Sequence, residues 1–123
     1  MTIYMFPGQG SQAKGMGIEL FSHFPDQIKQ ADEVLGYSIK ELCLDDSKQQ
    51  LSNTEYTQPA LYVIEALSFL ARAAEEPTPQ YLIGHSLGEY AALFAAGVFD
   101  FVTGLKLVQK RGELMAQASG GGM

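Results

Sequence analysis

The sequence predicts an α/β fold in which short parallel strands are flanked by helices. Three observations carry that expectation. Thr2-Ile3-Tyr4-Met5-Phe6 is apolar on both faces, as strands of a parallel sheet are. Tyr81-Leu82-Ile83 is a second such run, and it enters the Gly-x-Ser-x-Gly turn Gly84-His85-Ser86-Leu87-Gly88 just before an Ala- and Leu-rich stretch. Elsewhere apolar residues recur at helical spacing.

Composition narrows the class. The chain has 123 residues, 46% hydrophobic and 18% charged, as expected of one soluble globular domain. A formal net charge of −6 offers no basic field for nucleic acid. No apolar stretch is long enough for a transmembrane helix, and no secretory signal opens the chain, so neither membrane nor export is expected. The single cysteine, Cys43, cannot form an internal disulfide; it suits a reducing, cytoplasmic setting and a place in the core. No Cys/His cluster has metal-ligand spacing. The tail Ser119-Gly120-Gly121-Gly122-Met123 breaks a helical pattern into glycines, and the expectation is an amino-terminal piece of a longer protein.

Taken in order, Pro7 ends the first strand because proline cannot donate to a ladder. Met16, Leu20 and Phe24 predict a short helix with one apolar stripe. Pro25 suits the first turn of a second helix, where Ile28, Ala31 and Leu35 keep the spacing and Gly36 closes it. Tyr37 to Leu44 reads as a short helix, and Asp45 to Thr54 as a polar connection with one helical turn near Lys48 to Leu51. Thr57-Gln58-Pro59 predicts a helix start, with threonine as cap and proline in the first turn. Ala60 to Ala74 is apolar almost all round, so that helix is expected to be buried beneath the elbow. Leu87 to Ala96 is the elbow's helix, closed by Gly97. Asp100 caps a last helix with Phe101, Leu105, Val108, Gly112 and Met115 on one stripe. Lys106, Lys110, Arg111 and Glu113 fall mostly off it.

The two glycine-bearing turns bring the chemistry. Gly84 and Gly88 lack a Cβ, so strand and helix can pass closely and Ser86 can hold an unusual backbone conformation. Its hydroxyl then sits beside the first helix amides, which are unpaired donors at the positive end of the helix dipole. An oxyanion on an attacked carbonyl would be stabilised there. The other turn is Gly8-Gln9-Gly10-Ser11-Gln12-Ala13-Lys14-Gly15. It matches a relaxed dinucleotide fingerprint, but the acidic residue needed at the end of a second strand falls in Asp26–Leu35, which is helical in pattern. Met16 stands where a P-loop needs lysine. What remains is a loop whose backbone closely approaches a ligand.

Three signatures stand in order: Phe6-Pro7-Gly8-Gln9-Gly10-Ser11-Gln12, Gly84-His85-Ser86-Leu87-Gly88-Glu89-Tyr90 and Gln109-Lys110-Arg111-Gly112. Together with Thr57-Gln58-Pro59-Ala60-Leu61 they resemble the malonyl-CoA:acyl carrier protein transacylase family, most closely its members that serve polyketide synthases in trans. The resemblance covers essentially the whole chain. It implies that residues 1–123 are part of an α/β-hydrolase-like large subdomain. It further implies a ferredoxin-like small subdomain and a catalytic histidine, neither of which falls within these residues.

The resemblance also assigns roles. Ser86 matches the nucleophile that carries the acyl group as an ester. Gln9 and Leu87 match the residues whose backbone amides form the oxyanion hole, and Gly84, His85 and Gly88 build the elbow. Arg111 matches the arginine that binds the free carboxylate of a malonyl group; a guanidinium grips a carboxylate through two hydrogen bonds. The implied substrates are malonyl-CoA and the phosphopantetheine thiol of an acyl carrier protein, with no metal or redox cofactor. The missing histidine places the remaining part of the acyltransferase chain among the partners. His85 and His23 are poor substitutes, and without a base the hydroxyl is a weak nucleophile. These 123 residues alone are therefore expected to be inactive. Two other readings stay open: a hydrolase that clears acyl groups from carrier proteins, and a non-catalytic fragment that binds them.

Overall fold

The computed structural model describes residues 3–8, 10, 12–75 and 81–120, the side chains of 119 and 120 excepted. Strand β1 is Ile3–Phe6 and strand β2 is Tyr81–Gly84. They pair in parallel, with Ile3 opposite Tyr81 and Phe6 opposite Gly84. The helices are α1 Leu20–His23, α2 Pro25–Leu35, α3 Ile39–Leu44, α4 Thr54–Ala73, α5 Gly88–Ala95 and α6 Phe101–Gly120. The expected mixture of parallel strands and flanking helices is what forms.

Several local signals act as read. Pro25 opens α2, and Gly36 closes it in the left-handed conformation. The Asp100 carboxylate caps α6 by accepting from the Thr103 amide at 2.7 Å. Gly97, just beyond α5, has φ +81°. Cys43 is fully buried, which pushes its thiol pKa up to about 12.

Other signals are overruled. The first helix is shorter than its apolar stripe: Gly15 and Gly17 take positive φ, so the chain through Met16 runs in turns until Leu20. Residues 47–52 form turns without a helical turn, with Asp46 and Gln49 in the left-handed region. Helix α4 begins at Thr54, so Thr57 and Pro59 lie inside it. The Asn53 carbonyl already accepts from the amides of Tyr56 and Thr57, which starts the helix a turn early. The Thr57 hydroxyl, free of capping duty, donates to the carbonyls of Leu51 and Asn53. Finally, α6 continues through Ser119 and Gly120, where a break was expected.

The main core lies around α4, whose Thr57–Val63 and Glu65–Leu67 are all buried. Helices α5 and α6 pack on it, and Leu87, Leu105 and Val108 share its core. Glycines let α6 come close. A Cβ on Gly104 would collide with the Tyr62 hydroxyl, and one on Gly112 would lie 3.1 Å from Glu55 Cα. A smaller cluster covers one face of the sheet, with Tyr4, Phe6 and Ala91 at its centre and Phe69 of α4 against it. The other face is bare among the described residues, with Ile3 45%, Met5 75%, Tyr81 57% and Ile83 49% exposed. The expectation of a strand buried on both faces therefore holds for one face only.

Candidate active site

The site forms where β2 turns into α5. Ser86 has φ +56°, the left-handed region that a residue with a side chain enters at a cost of about 1–3 kcal/mol. Two glycines and a tight ladder of amides hold it there. A Cβ on Gly84 would strike the backbone of Gly88 and Glu89, and one on Gly88 would strike the Phe6 carbonyl. The amides of Gly88 and Glu89 donate to the carbonyls of His85 and Ser86, both at 3.0 Å. The His85 amide donates to Phe6 O at 3.0 Å, which ties the turn to the carboxyl end of β1. Ser86 is exposed at the crest of this turn, and Leu87 below it is fully buried. The Leu87 amide opens the helix beside the serine.

The glycine-rich loop after β1 reaches the same place. A Cβ on Gly8 would lie 2.6 Å from His85 O, 3.1 Å from His85 Nδ1 and 3.3 Å from Ser86 Cβ. The main chain of the loop therefore touches the elbow, and only glycine fits at that contact. Gln9 lies outside the described residues.

Arg111 comes to the serine from α6. Its Nη2 donates to Ser86 Oγ at 3.2 Å and its Nη1 donates to Gln58 Oε1 at 2.5 Å. The guanidinium carbon stands 5.7 Å from the centre of the Tyr90 ring, within cation–π range. Gln58 is fully buried and its own amide donates to Thr54 Oγ1 and Met115 Sδ. Arg111 is thus half-buried and held on three sides, unlike exposed Lys106 and Lys110. The sequence reading missed Gln58, which it spent on a helix start. The available signal was an amide at the head of the apolar run Pro59 to Ile64. His23 is exposed at the end of α1, far along the chain from the elbow, and makes no hydrogen bond to Ser86; nor does the exposed His85.

The site so built presents a hydroxyl at a strained turn, helix amides beside it and a fixed cation in contact with it. Residues 3–123 match the family model of the acyl transferase domain. The chain belongs to the acyl transferase family. Similar proteins include the polyketide biosynthesis malonyl CoA-acyl carrier protein transacylase PksC of Bacillus subtilis, 60% identical over all of this chain and 43% of that one. The malonyl CoA-acyl carrier protein transacylase of Synechocystis is 53% identical over 99% of this chain and 42% of its own length. Among solved structures, the transacylase of Burkholderia pseudomallei superposes with a TM-score of 0.93 at 61% identity, covering 94% of this chain and 40% of that one. Another, at 39% identity and a TM-score of 0.85, is a malonyl-transacylase in complex with its type II polyketide acyl-carrier protein; 94% of this chain and 39% of that one are covered. This acyl transferase chain thus spans about two fifths of the relatives it matches. Among the described residues, no helix is long and apolar enough to cross a membrane, and no group of three or more His, Cys, Asp or Glu could hold a metal ion.

Proposed function

We propose that the chain is the amino-terminal part of a malonyl-CoA:acyl carrier protein transacylase, within an α/β-hydrolase-like large subdomain, working in the cytoplasm in polyketide or fatty acid synthesis. The observation that carries the reading is the contact of the Arg111 guanidinium with the exposed Ser86 hydroxyl. A malonyl group esterified to that oxygen has its free carboxylate within a short chain of the same cation. Arg111 pairs with the carboxylate, and an acetyl group would leave the cation without its partner. Relatives whose names specify malonyl transfer support the choice of acyl group.

The cycle is ping-pong. Ser86 Oγ attacks the thioester carbonyl of malonyl-CoA, and its proton passes to a histidine supplied from outside these 123 residues. The amides of Gln9 and Leu87 receive the oxyanion, the first from the loop that Gly8 brings against the elbow. The carbon–sulfur bond breaks and CoA leaves with the proton. The phosphopantetheine thiol of a carrier protein then gives its proton to the histidine and attacks the seryl ester; the acyl–oxygen bond breaks, the malonyl thioester leaves and the proton returns to Ser86 Oγ. Thioester, ester and thioester share one oxidation state, so the reaction asks for no redox cofactor.

The test is a completed enzyme: this sequence followed by the portion of the Bacillus subtilis relative beyond the matched region. It should load malonyl onto carrier protein much faster than it releases free malonate. Faster release than loading would make it a hydrolase of acyl carrier thioesters.

A further inference from the structure

Neutral groups hold the Arg111 guanidinium; among the described residues no carboxylate pairs with it. The Gln58 side-chain oxygen accepts from Nη1, and Ser86 Oγ accepts from Nη2. The third group is the ring of Tyr90, whose centre lies 5.7 Å from the guanidinium carbon. The positive charge is thus left unneutralised beside the nucleophile.

These groups differ in what they take from the cation. Arginine presents its N–H donors in one planar fork. Gln58 and Ser86 each occupy a donor of that fork. An aromatic face attracts a cation through its quadrupole and occupies none. Tyr90 therefore restrains the group while the remaining donors stay open to both oxygens of a carboxylate.

The serine contact does not last through the reaction. Once Ser86 Oγ carries an acyl group it is an ester oxygen, a poorer acceptor than a hydroxyl. Gln58 would then hold the guanidinium by a single hydrogen bond, about which the group can pivot. The ring opposes that motion because it is itself fixed. Tyr90 stands in the first turn of α5, half-buried against the main core, and its amide donates to the Leu87 carbonyl at 3.0 Å.

We propose that, given malonyl as the acyl group, Tyr90 is a positioning residue for acyl selection: its ring holds the Arg111 cation where the carboxylate of a malonyl group on Ser86 meets it.

The test uses the completed enzyme, in which Tyr90→Phe keeps the aromatic face and Tyr90→Leu removes it. Tyr90→Leu should lower the malonyl-to-acetyl ratio of kcat/KM about fivefold, chiefly through the KM for malonyl-CoA. Tyr90→Phe should recover most of that ratio. A purely structural role would lower both rates together and leave the ratio alone. NMR of isotope-labelled arginine gives a second reading that needs no acyl group. The Arg111 Nε–H signal, identified by its loss in Arg111→Lys, should show a ring-current shift in the unaltered enzyme and in Tyr90→Phe, and lose it in Tyr90→Leu. With a malonyl-selective unaltered enzyme, an unchanged ratio in Tyr90→Leu, or a fall in Tyr90→Phe as deep as in Tyr90→Leu, would overturn the proposal. An unaltered enzyme without malonyl preference would instead sink the malonyl reading, and the ring-current shift would then decide by itself whether Tyr90 holds the cation.

Discussion

Gln58 and Arg111 stand 53 positions apart in the chain, yet the Arg111 guanidinium donates to the Gln58 side-chain oxygen at 2.5 Å. Gly112, next to Arg111, permits this: α6 approaches the start of α4 so closely that a Cβ would press on Glu55. The buried amide fixes one end of the guanidinium and leaves the other over Ser86.

If that cation selects malonyl, its loss should act on the acyl group. Arg111→Ala in the completed enzyme should lower kcat/KM for malonyl-CoA by about thirtyfold or more, since truncating one partner of a hydrogen-bonded charge pair costs about 2–5 kcal/mol. Acetyl-CoA should suffer far less, and the ratio of the two rates is the measurement. An unchanged ratio would remove Arg111 from specificity.

Gln58→Ala should give a weaker form of the same change. It removes a hydrogen bond to a charged group, about 1.5–3 kcal/mol, while the guanidinium stays near the serine. The expected result is a malonyl-CoA KM raised about tenfold or more with a smaller loss in kcat. Steady-state kinetics with both acyl groups would show it.

The elbow is a packing problem before it is a chemical one. Gly88→Ala would drive a methyl group into the Phe6 carbonyl, and backbone cannot give way as a flexible side chain can. The expected destabilisation is at least about 2–3 kcal/mol, read by urea unfolding. Gly36→Ala is the contrast: nothing lies within 4 Å of its Cβ, so its effect comes only from the φ of +81°.

Glu65 predicts an unusual pH dependence for the 123-residue chain. Burial without a partner pushes its pKa up to about 8. An acid raised in the folded state binds its proton there more tightly than in the unfolded chain. Stability from this group is therefore greatest at low pH and declines as pH rises from the ordinary carboxylate range towards 8, levelling beyond. Glu65→Gln should flatten that decline in thermal melts taken across the window. Arg72 and Tyr4 line a groove with Glu65 and remain in the variant.

Much of this was legible because it is local. The strand, the glycines of the elbow, the Asp100 cap and the Gly36 stop each act within a few residues of themselves. Ser86 was found by the same means, since the spacing of Gly84 and Gly88 is what permits its backbone. Pairings over long separations were not legible. Thr57-Gln58-Pro59 has the form of a helix start, and only the fold reveals that Asn53 had already turned the chain and that Gln58 faces Arg111. Glu65 hid in a stretch read as apolar almost all round; one acid in such a run was the clue. The bare sheet face was unreadable because Ile3 and Met5 look alike whether covered or not.

The most direct measurement is the intact mass of the completed enzyme after brief exposure to malonyl-CoA, with peptide mapping of the adduct. One malonyl group should appear, on Ser86, and Ser86→Ala should carry none. A malonyl group that persists on the Ser86→Ala protein, or that maps to another side chain in the unaltered one, would contradict the account.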